Sequence, residues 1–266
     1  MNIDFHTHGK LSKKTEFSVD YFLEMIEEAK ANGLDAIALT EHFNTIRFSD
    51  IYDTLDRLFP YNGHVYVADG LKIFPGMEVD IAETGHILMI STRENIRALR
   101  EKLHDHTDPD HFVPFGVLLD WTEQEDILRI GAHPYRESTP LHHLPDELLN
   151  RLDAFDLNGK DLYQYSKKTY RVKVEQLAER FGKPVVAGSD THQCLQYGSV
   201  WNEIEADCHS ISDLKASLTS KAYQIHVSIC LESKVKGAIM MKKLLKQSLE
   251  DGHDRFDEET QQERTG

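Results

Sequence analysis

Histidine and carboxylate residues recur directly after short apolar segments of this 266-residue chain. His6-Thr7-His8 follows the opening segment, and Ser189-Asp190-Thr191-His192 follows a segment rich in Val and Ala. Residues at i and i+2 of an extended chain project to the same side, so each pair can bind one cation. The other candidates at the ends of apolar segments are Glu41, His42, Glu78 and His133.

Each motif is a weak signal by itself, because an isolated His-x-His pair or a lone glutamate is often a solvated surface feature. Five separate apolar segments that all end in such a residue are a stronger signal. If the segments are strands of one parallel sheet or barrel, their carboxyl ends meet at a single edge. The sequence therefore predicts a multinuclear metal site with the ligands His6, His8, His42, Glu78, His133, Asp190 and His192.

Short apolar segments alternate with amphipathic ones along most of the chain. Strand character is found at residues 1–5, 35–40, 71–75, 86–90, 128–132, 154–158 and 184–188. Helical spacing of apolar residues predicts helices over 19–31, 51–59, 93–103, 115–127, 145–151 and 167–181. This alternation predicts an α/β protein with a mainly parallel sheet, and periodicity does not decide between a barrel and an open sheet.

Composition and charge limit the classes of function. Hydrophobic residues at 40% and charged residues at 28% are ordinary for a globular protein. The formal net charge of -15 argues against a nucleic-acid partner, because such partners are bound by a basic face. Three widely spaced cysteines and an opening without a basic, apolar leader predict a cytoplasmic protein with no membrane partner. The oligomeric state is not indicated by the sequence.

Six sequence motifs link the chain to a known family. FHTHGKLS, ALTEHFN, FPGMEVD, GHILMI, GAHPYR and AGSDTHQ follow the order and spacing of the PHP (polymerase and histidinol phosphatase) domain superfamily. The chain resembles this family from His6 to about His192, and its Glu41-His42 pair is similar to the histidinol-phosphatase branch. The resemblance implies a distorted (βα)7 barrel with a metal cluster at the C-terminal strand ends and hydrolysis of phosphoesters.

The resemblance also implies a role for each matching residue. His6 and His8 would bind one ion that Asp190 or His192 completes, and Glu78 would bridge two ions. The ligands that complete the other sites would be His42, His86 and His133. His86 starts an apolar segment, so a strand-start histidine without a ligand role is the alternative for it.

One position departs from the family pattern. Relatives place another ligand five or six residues after the second histidine of His-x-His, where this chain has Lys13 and Lys14. A protonated lysine is a poor ligand, so either Glu16 substitutes or an ammonium replaces a cation. Glu41 would act as a carboxylate that orients an imidazole.

An imidazole-rich ligand set favours Zn, Mn or Fe over Ca and Mg, and we expect two or three such divalent ions. A water that bridges them would have a lowered pKa, and the resulting hydroxide would attack phosphorus in line with the departing alkoxide. Arg136, three residues after His133, would grip the phosphoryl group, with a surface salt bridge to Glu137 as its alternative. Further contacts to the substrate are expected from Lys13, Lys14, Asn158 and Lys160.

The expected function is hydrolysis of a small phosphorylated substrate, with histidinol phosphate as one candidate. A second hypothesis is an amidohydrolase-like enzyme for C–N or lactone bonds, although no strand-end lysine matches the carbamylated lysine of that class. A third is a non-catalytic, regulatory metal-binding protein, which the Lys13-Lys14 departure suggests. We divide the chain into a PHP metallohydrolase barrel at 1–230, a lysine-rich helix packed on it at 231–250, and a disordered acidic tail at 251–266.

Overall fold

A computed structural model describes residues 1–265, with side chains through Leu249, and these residues form ten strands and nine α-helices. The strands are β1 (Asn2–Thr7), β2 (Ala36–Leu39), β3 (Tyr66–Ala68), β4 (Leu71–Asp80), β5 (His86–Ile90), β6 (Leu128–Gly131), β7 (Ala154–Asn158), β8 (Val185–Gly188), β9 (Val200–Ile204) and β10 (Tyr223–Val227). The helices are α1 (Val19–Ala31), α2 (Ser49–Leu58), α3 (Arg93–Lys102), α4 (Phe115–Trp121), α5 (Asp146–Leu149), α6 (Gly159–Gln164), α7 (Lys167–Arg180), α8 (Ile211–Thr219) and α9 (Leu231–Thr265).

The strands form a nearly closed barrel, with the order β10-β9-β1-β2-β4-β5-β6-β7-β8 and with β3 beside β4. The barrel closes between β1 and the segment after β8, while β9 and β10 extend the sheet beyond β1. The Asp190 amide donates to the His6 carbonyl at 2.8 Å, and the His8 amide donates to the Thr191 carbonyl at 3.0 Å. A Cβ at Gly188 would collide with the Cβ of His6, so glycine is required for this close approach.

Asn202 of β9 bridges β1 and β8 where the barrel closes. Its side-chain amide donates to the carbonyls of Ile3 and Ala187 at 3.0 and 2.8 Å, and its oxygen accepts from the Ala187 amide at 2.8 Å. The side chain therefore replaces the backbone hydrogen bonds that β1 and β8 do not make with each other at this level.

The prediction of a mainly parallel sheet is wrong for β3, β5, β9 and β10, which pair antiparallel with their neighbours. β5 runs antiparallel to both β4 and β6, whereas β1, β2 and the first half of β4 are mutually parallel, as are β6, β7 and β8. Only five residues separate β4 from β5, which is too short for the crossover that parallel strands need. The antiparallel hairpin still brings the end of β4 and the start of β5 to the same rim.

The barrel interior and the space under the helices are both apolar. Ile3, Phe5 and Phe74 belong to the interior cluster and are fully buried. The outer layer is built from helices such as α1, whose buried residues Phe22 and Met25 belong to an i, i+3, i+4, i+7 stripe over the predicted range. Short strands that are buried on both faces explain why the sequence shows continuous apolar segments.

The predicted ends of α4 and β4 need correction, because β4 continues to Asp80 and not to residue 75. α4 ends at Trp121, six residues before the predicted end at 127, and the Thr122 hydroxyl caps it by donating to the Leu118 carbonyl at 3.0 Å. The sequence did not predict β3, α6, β9, α8 or β10. None of the helices within residues 1–265 has the length and apolar character that crossing a membrane requires.

α9 begins one residue after the predicted barrel limit, with Leu231 and Val235 fully buried. Its backbone is described to Thr265, and Gly266 lies outside the described residues. The disorder predicted for 251–266 and the domain limits at 230 and 250 stay predictions, because the side chains beyond Leu249 are not described.

Candidate metal centre

The first group of converging ligands joins the end of β1 to the segment after β8. Donor atoms of His6, His8 and Asp190 all lie within 4.8 Å of one another, and the three residues are buried. Asp190 Oδ1 is 3.8 Å from His6 Nε2 and 3.4 Å from His8 Nε2. The i, i+2 spacing predicted from His-x-His therefore brings both imidazoles to the same carboxylate.

Glu78 lies between this group and a second one. Its Oε2 is 3.6 Å from Nε2 of both His6 and His8, whereas its Oε1 is 2.6 Å from His86 Nδ1 and 3.2 Å from His133 Nε2. Burial alone would raise the pKa of Glu78, but the surrounding histidines lower it well below its usual range. Glu78 lies inside β4, not at the strand end where the sequence predicts it. Its Oε1 faces His86 and His133, and its Oε2 faces His6, His8 and His42.

The third group consists of His8, His42 and His192. The rings of His8 and His192 stack at a centroid distance of 3.9 Å, and His192 Nδ1 lies 2.9 Å from the Lys10 carbonyl oxygen. His8 is shared with the first group, where its Nε2 faces Asp190 and Glu78. This group therefore has only two imidazoles of its own.

Unpaired buried atoms test whether these residues fit metal ions. His6 Nε2, both ring nitrogens of His8, His42 Nδ1 and Glu78 Oε2 are buried without a hydrogen-bond partner within the described residues. His42 Nδ1 is only 2.9 Å from Glu78 Oε2, but the angles are not those of a hydrogen bond. Such atoms destabilise a fold unless something binds them. Their convergence fits divalent cations.

Backbone strain and, for three of the imidazoles, protonation support the same conclusion. Burial lowers the pKa of His133 and of His192 well below the usual range and that of His42 to about 4, so these imidazoles keep a lone pair for a metal. For His6, His8 and His86 the neighbouring carboxylates outweigh burial and raise the pKa, so a metal would displace a proton from these rings. His133 and Asp190 have φ angles of 30° and 58°, which non-glycine residues rarely adopt. Strain of this kind is concentrated at functional sites.

Arg136 holds one side of the cluster. Its Nη2 donates to Asp190 at 2.7 Å, to Asp161 at 2.9 Å and to Asn158 at 3.1 Å, and its Nε donates to Asp161 at 3.1 Å. Asp156 completes the network, with its Oδ2 3.2 Å from His6 Nδ1 and 3.0 Å from the Asn158 amide nitrogen. We call this network the arginine flank; it consists of Arg136, Asp156, Asn158, Asp161 and Asp190.

A smaller network, the lysine flank, lies on the opposite side and consists of Lys13, Asp80 and His86. Lys13 Nζ donates to Asp80 Oδ2 at 2.8 Å, and Asp80 Oδ1 is 2.9 Å from His86 Nε2. Burial would raise the pKa of Asp80, but His86 and Lys13 lower it to about 2. Lys13 thus contacts a carboxylate that positions the ligand His86.

Several predicted residues lie elsewhere than expected. Glu16 does not substitute as a ligand, because it is exposed and pairs with Arg47 at 3.4 Å. The main donors of Arg136 are engaged by carboxylates, so it positions Asp190 and does not form the surface salt bridge with Glu137. Asn158 caps α6 by accepting from the Lys160 amide at 3.0 Å. Lys14 is exposed.

Glu41 lies beside His8, as its predicted orienting role requires, but at 3.7 Å from Nδ1 it is too distant for a hydrogen bond. Its Oε2 accepts from the Gly9 and Lys10 amides at 3.1 Å each. Glu41 therefore fixes the loop after β1 more directly than it orients the imidazole.

The sequence interpretation missed residues that contact the ligands. They are Asp4, Asp80 and Asp156, and Asp161 acts on Asp190 through Arg136. One feature of the sequence could have indicated these carboxylates, because Asp4, Asp80 and Asp156 each lie among apolar residues of a strand. A carboxylate buried in a strand needs a partner, and imidazoles are the partners available here.

Two family profiles match the chain. The PHP domain profile matches residues 4–183, and the PHP-associated profile matches residues 170–222. A protein named probable phosphatase from Caldicellulosiruptor saccharolyticus is 27% identical over 209 residues, which are 72% of this chain and 80% of that protein.

Solved structures with the same fold include PsfC from Pseudomonas syringae PB-5123, with a TM-score of 0.74, 22% identity, and coverage of 93% of this chain and 98% of that one. The lesion-specific endonuclease PfuEndoQ from Pyrococcus furiosus has a TM-score of 0.65 and 20% identity, and the match covers 84% of this chain and 57% of that one. At these identities the likeness establishes the fold.

One of these neighbours corrects the expectation about nucleic acid. Endonuclease Q, with a TM-score of 0.64, was solved with a 27-mer duplex that has an abasic lesion at the active site. The same fold thus acts on DNA in another protein, and the net charge of -15 does not exclude a nucleic-acid partner. The prediction that none is involved is wrong.

Proposed function

This chain belongs to the PHP domain family of metal-dependent phosphoesterases, and on that premise we propose that it hydrolyses phosphate monoesters of small molecules. The observation that carries the proposal is the position of Glu78 between two groups of buried imidazoles. A carboxylate with each oxygen facing a different ligand group suits two ions that share a bridging ligand. The probable phosphatase, matched over most of its length, supports the same chemistry.

We propose that about two ions bind firmly, in keeping with a bridging carboxylate. The first would be held by His6, His8 and Asp190 and the second by His86 and His133, with Glu78 shared. Zn, Mn or Fe in these positions would supply a Lewis acid for the phosphoryl oxygens and would lower the pKa of bound water.

The chain's own residues supply orientation around these ligands. Asp156 holds the ring of His6 and Asp80 that of His86, which fixes the nitrogen that faces the cluster. Arg136 holds Asp190 in its strained conformation. Glu41 fixes the loop after β1, which carries the proposed substrate contact Lys13.

His8→Ala tests the proposal directly. We expect kcat/KM for p-nitrophenyl phosphate to fall by at least about a hundredfold, because even residues that only orient a ligand cost 10–100-fold when removed. The assay uses chain loaded with Mn or Zn, followed by removal of the metal with a chelator and its restoration. His104→Ala is the matched control, since His104 is an exposed histidine of a short 3-10 helix after α3.

The substrate panel includes histidinol phosphate, other phosphate monoesters, lactones, cyclic amides and duplex DNA with an abasic site. Turnover of lactones or amides without phosphoesters would favour the amidohydrolase alternative. Cleavage of DNA without monoesters would replace the small-molecule substrate. A chain that binds fewer than two ions and hydrolyses nothing would support the regulatory alternative.

A further inference from the structure

The first turns of α9 are fixed on the barrel. Leu231, Val235 and Ala238 are buried at the i, i+4, i+7 spacing of one helix face. Lys234 Nζ donates to the Tyr197 carbonyl at 2.9 Å, which ties the helix to the loop that follows the ligands of the β8 end. The direction of the helix across the barrel is therefore set before residue 240.

From this anchor, α9 crosses the rim that carries the metal ligands. Gly237 packs beside Leu195, three residues beyond the ligand His192. Further along, Leu245 and Leu249 line a cavity together with Phe17 of the loop after β1. α6, which begins directly after Asn158 at the end of β7, also contacts α9. The segment between Gly237 and Leu245 thus lies between the ends of β1, β7 and β8.

Lys242 lies in the middle of that segment and on its inner face. It is four residues beyond Ala238 and seven beyond Val235, so it continues the buried stripe. Its side chain is half-buried, and burial lowers the pKa of Lys242 to about 8. The charges that act on it most strongly are Asp190, Lys160 and Lys246. The buried stripe and the contact of α9 with α6 therefore place Lys242 on the side of the helix that is turned toward the ends of β7 and β8.

Charge pairing inside the protein does not explain this arrangement. Asp190 is already 2.7 Å from Arg136, and it faces His6 and His8 on its other oxygen. Lys242 is brought near two further ammonium groups, which repel it. Ammonium groups that lie close together are stabilised when an anion with several oxygens binds between them and accepts a hydrogen bond from each.

The neighbouring cavity has room for the rest of a small molecule. Its volume of about 640 Å³ is within the range of small-ligand sites. Phe17, Tyr21 and Leu245 give it apolar walls, and Lys14 and Lys246 stand at its edge.

We propose that Lys242 of α9, together with Lys160 of α6, binds the phosphoryl oxygens of the substrate, so that the C-terminal helix is part of the substrate site. The proposal rests on the proposed phosphoesterase function and deepens it. Two ammonium groups favour a phosphate monoester, which is a dianion, over a diester with one negative charge. The alcohol part of the monoester would lie in the cavity between α9 and the loop after β1.

Binding of inorganic phosphate to the full metal-loaded chain tests the assignment, with metal content measured on the same samples. In Lys242→Gln we expect the Kd for phosphate to rise about tenfold or more, since a charge-assisted hydrogen bond is lost, while the metal content stays unchanged. Lys160→Gln, on another helix, should act in the same direction, and Lys242→Arg should retain most of the affinity. Lys243→Gln is the matched control, because Lys243 is the exposed next residue of the same helix.

The outcomes separate this inference from the proposed function. If Lys242→Gln and Lys160→Gln bind phosphate as Lys243→Gln does, the assignment is overturned even if the wild type hydrolyses monoesters. If phosphate affinity depends on Lys242 but no monoester is hydrolysed, the assignment stands and the proposed function fails. A loss of bound metal in Lys242→Gln would also overturn it, because Lys242 would then support the ligands and not the substrate.

Discussion

The arginine flank and the lysine flank both support the candidate ligands, one with a guanidinium and the other with an ammonium group. On each side of the cluster, a cationic side chain holds a carboxylate that contacts or supplies a metal ligand. Arg136 is 14% exposed and bonds three partners through a planar fork, whereas Lys13 is 33% exposed and bonds Asp80 alone. The arginine flank is a buried network, whereas the lysine flank has one partly exposed cation whose buried partner Asp80 also faces His86.

The difference indicates which side of the site is fixed. A guanidinium that bonds several oxygens at once defines their relative positions, while an ammonium on a flexible stem acts as a point charge. Two of the six non-glycine residues with positive φ in the described chain also lie at the arginine flank, His133 on its border and Asp190 within it. We therefore expect the arginine flank to determine stability and ligand geometry, and the lysine flank to tolerate change.

The largest effect should follow from Arg136→Met, which breaks the arginine flank. The change leaves two buried carboxylates, Asp161 and Asp190, without their cation, and removing one partner of a buried ion pair costs about 3–5 kcal/mol. Urea unfolding without added metal measures the free energy of unfolding. Arg151→Met is the control, because Arg151 pairs with Asp120 at the surface and should change stability by less than about 0.5 kcal/mol. Equal effects of the two changes would contradict the comparison.

An intermediate effect is expected from neutralising one carboxylate on each flank. Asp161→Asn should cost about 1–2 kcal/mol, less than loss of Arg136, since burial raises the pKa of Asp161 and a neutral amide removes that penalty. Asp80→Asn should cost about 2 kcal/mol, because His86 and Lys13 lower the pKa of Asp80 to about 2, and it should weaken metal binding at His86 by about 10–100-fold. Unfolding curves and metal titrations on both variants measure the two quantities. Metal affinity that is unchanged in Asp80→Asn would show that Asp80 does not position His86.

The sequence predicts the converging histidine and carboxylate side chains better than the residues that support them. His6, His8, His133 and Asp190 were found because imidazoles and carboxylates after apolar segments are unusual wherever the chain folds. The contact of Asp156 with His6 is not predictable, because the two residues are 150 positions apart and local sequence patterns do not indicate contacts at that separation. The contacts of Arg136 with Asp161 and Asp190 are not predictable for the same reason, and its predicted role in gripping the phosphoryl group stays a prediction.

β4 shows the same limit at the level of the fold. Pro75-Gly76 usually ends an element, and the prediction stopped the strand there. In the barrel, β4 changes partners at this point, from β2 opposite Pro75 to β5 opposite Gly76. Proline lacks an amide hydrogen, which is tolerated where the hydrogen-bonding pattern is interrupted. The strand therefore continues to Asp80 and carries Glu78 to the centre of the site.

The smallest effect on stability, and the sharpest test of the lysine flank, is expected from Lys13→His. The partly exposed contact with Asp80 contributes less than about 1 kcal/mol, so the fold should tolerate the change. The third group has only two imidazoles that it does not share with another group, those of His42 and His192, and the positive charge of Lys13 acts on His42. An imidazole at position 13 removes that charge and supplies a third donor, so metal content should rise from about two to about three ions per chain. Lys14→His is the control, since Lys14 is exposed and should leave the content unchanged. Elemental analysis that finds three firmly bound ions in the wild type, or no increase in Lys13→His, would show that Lys13 does not limit the cluster.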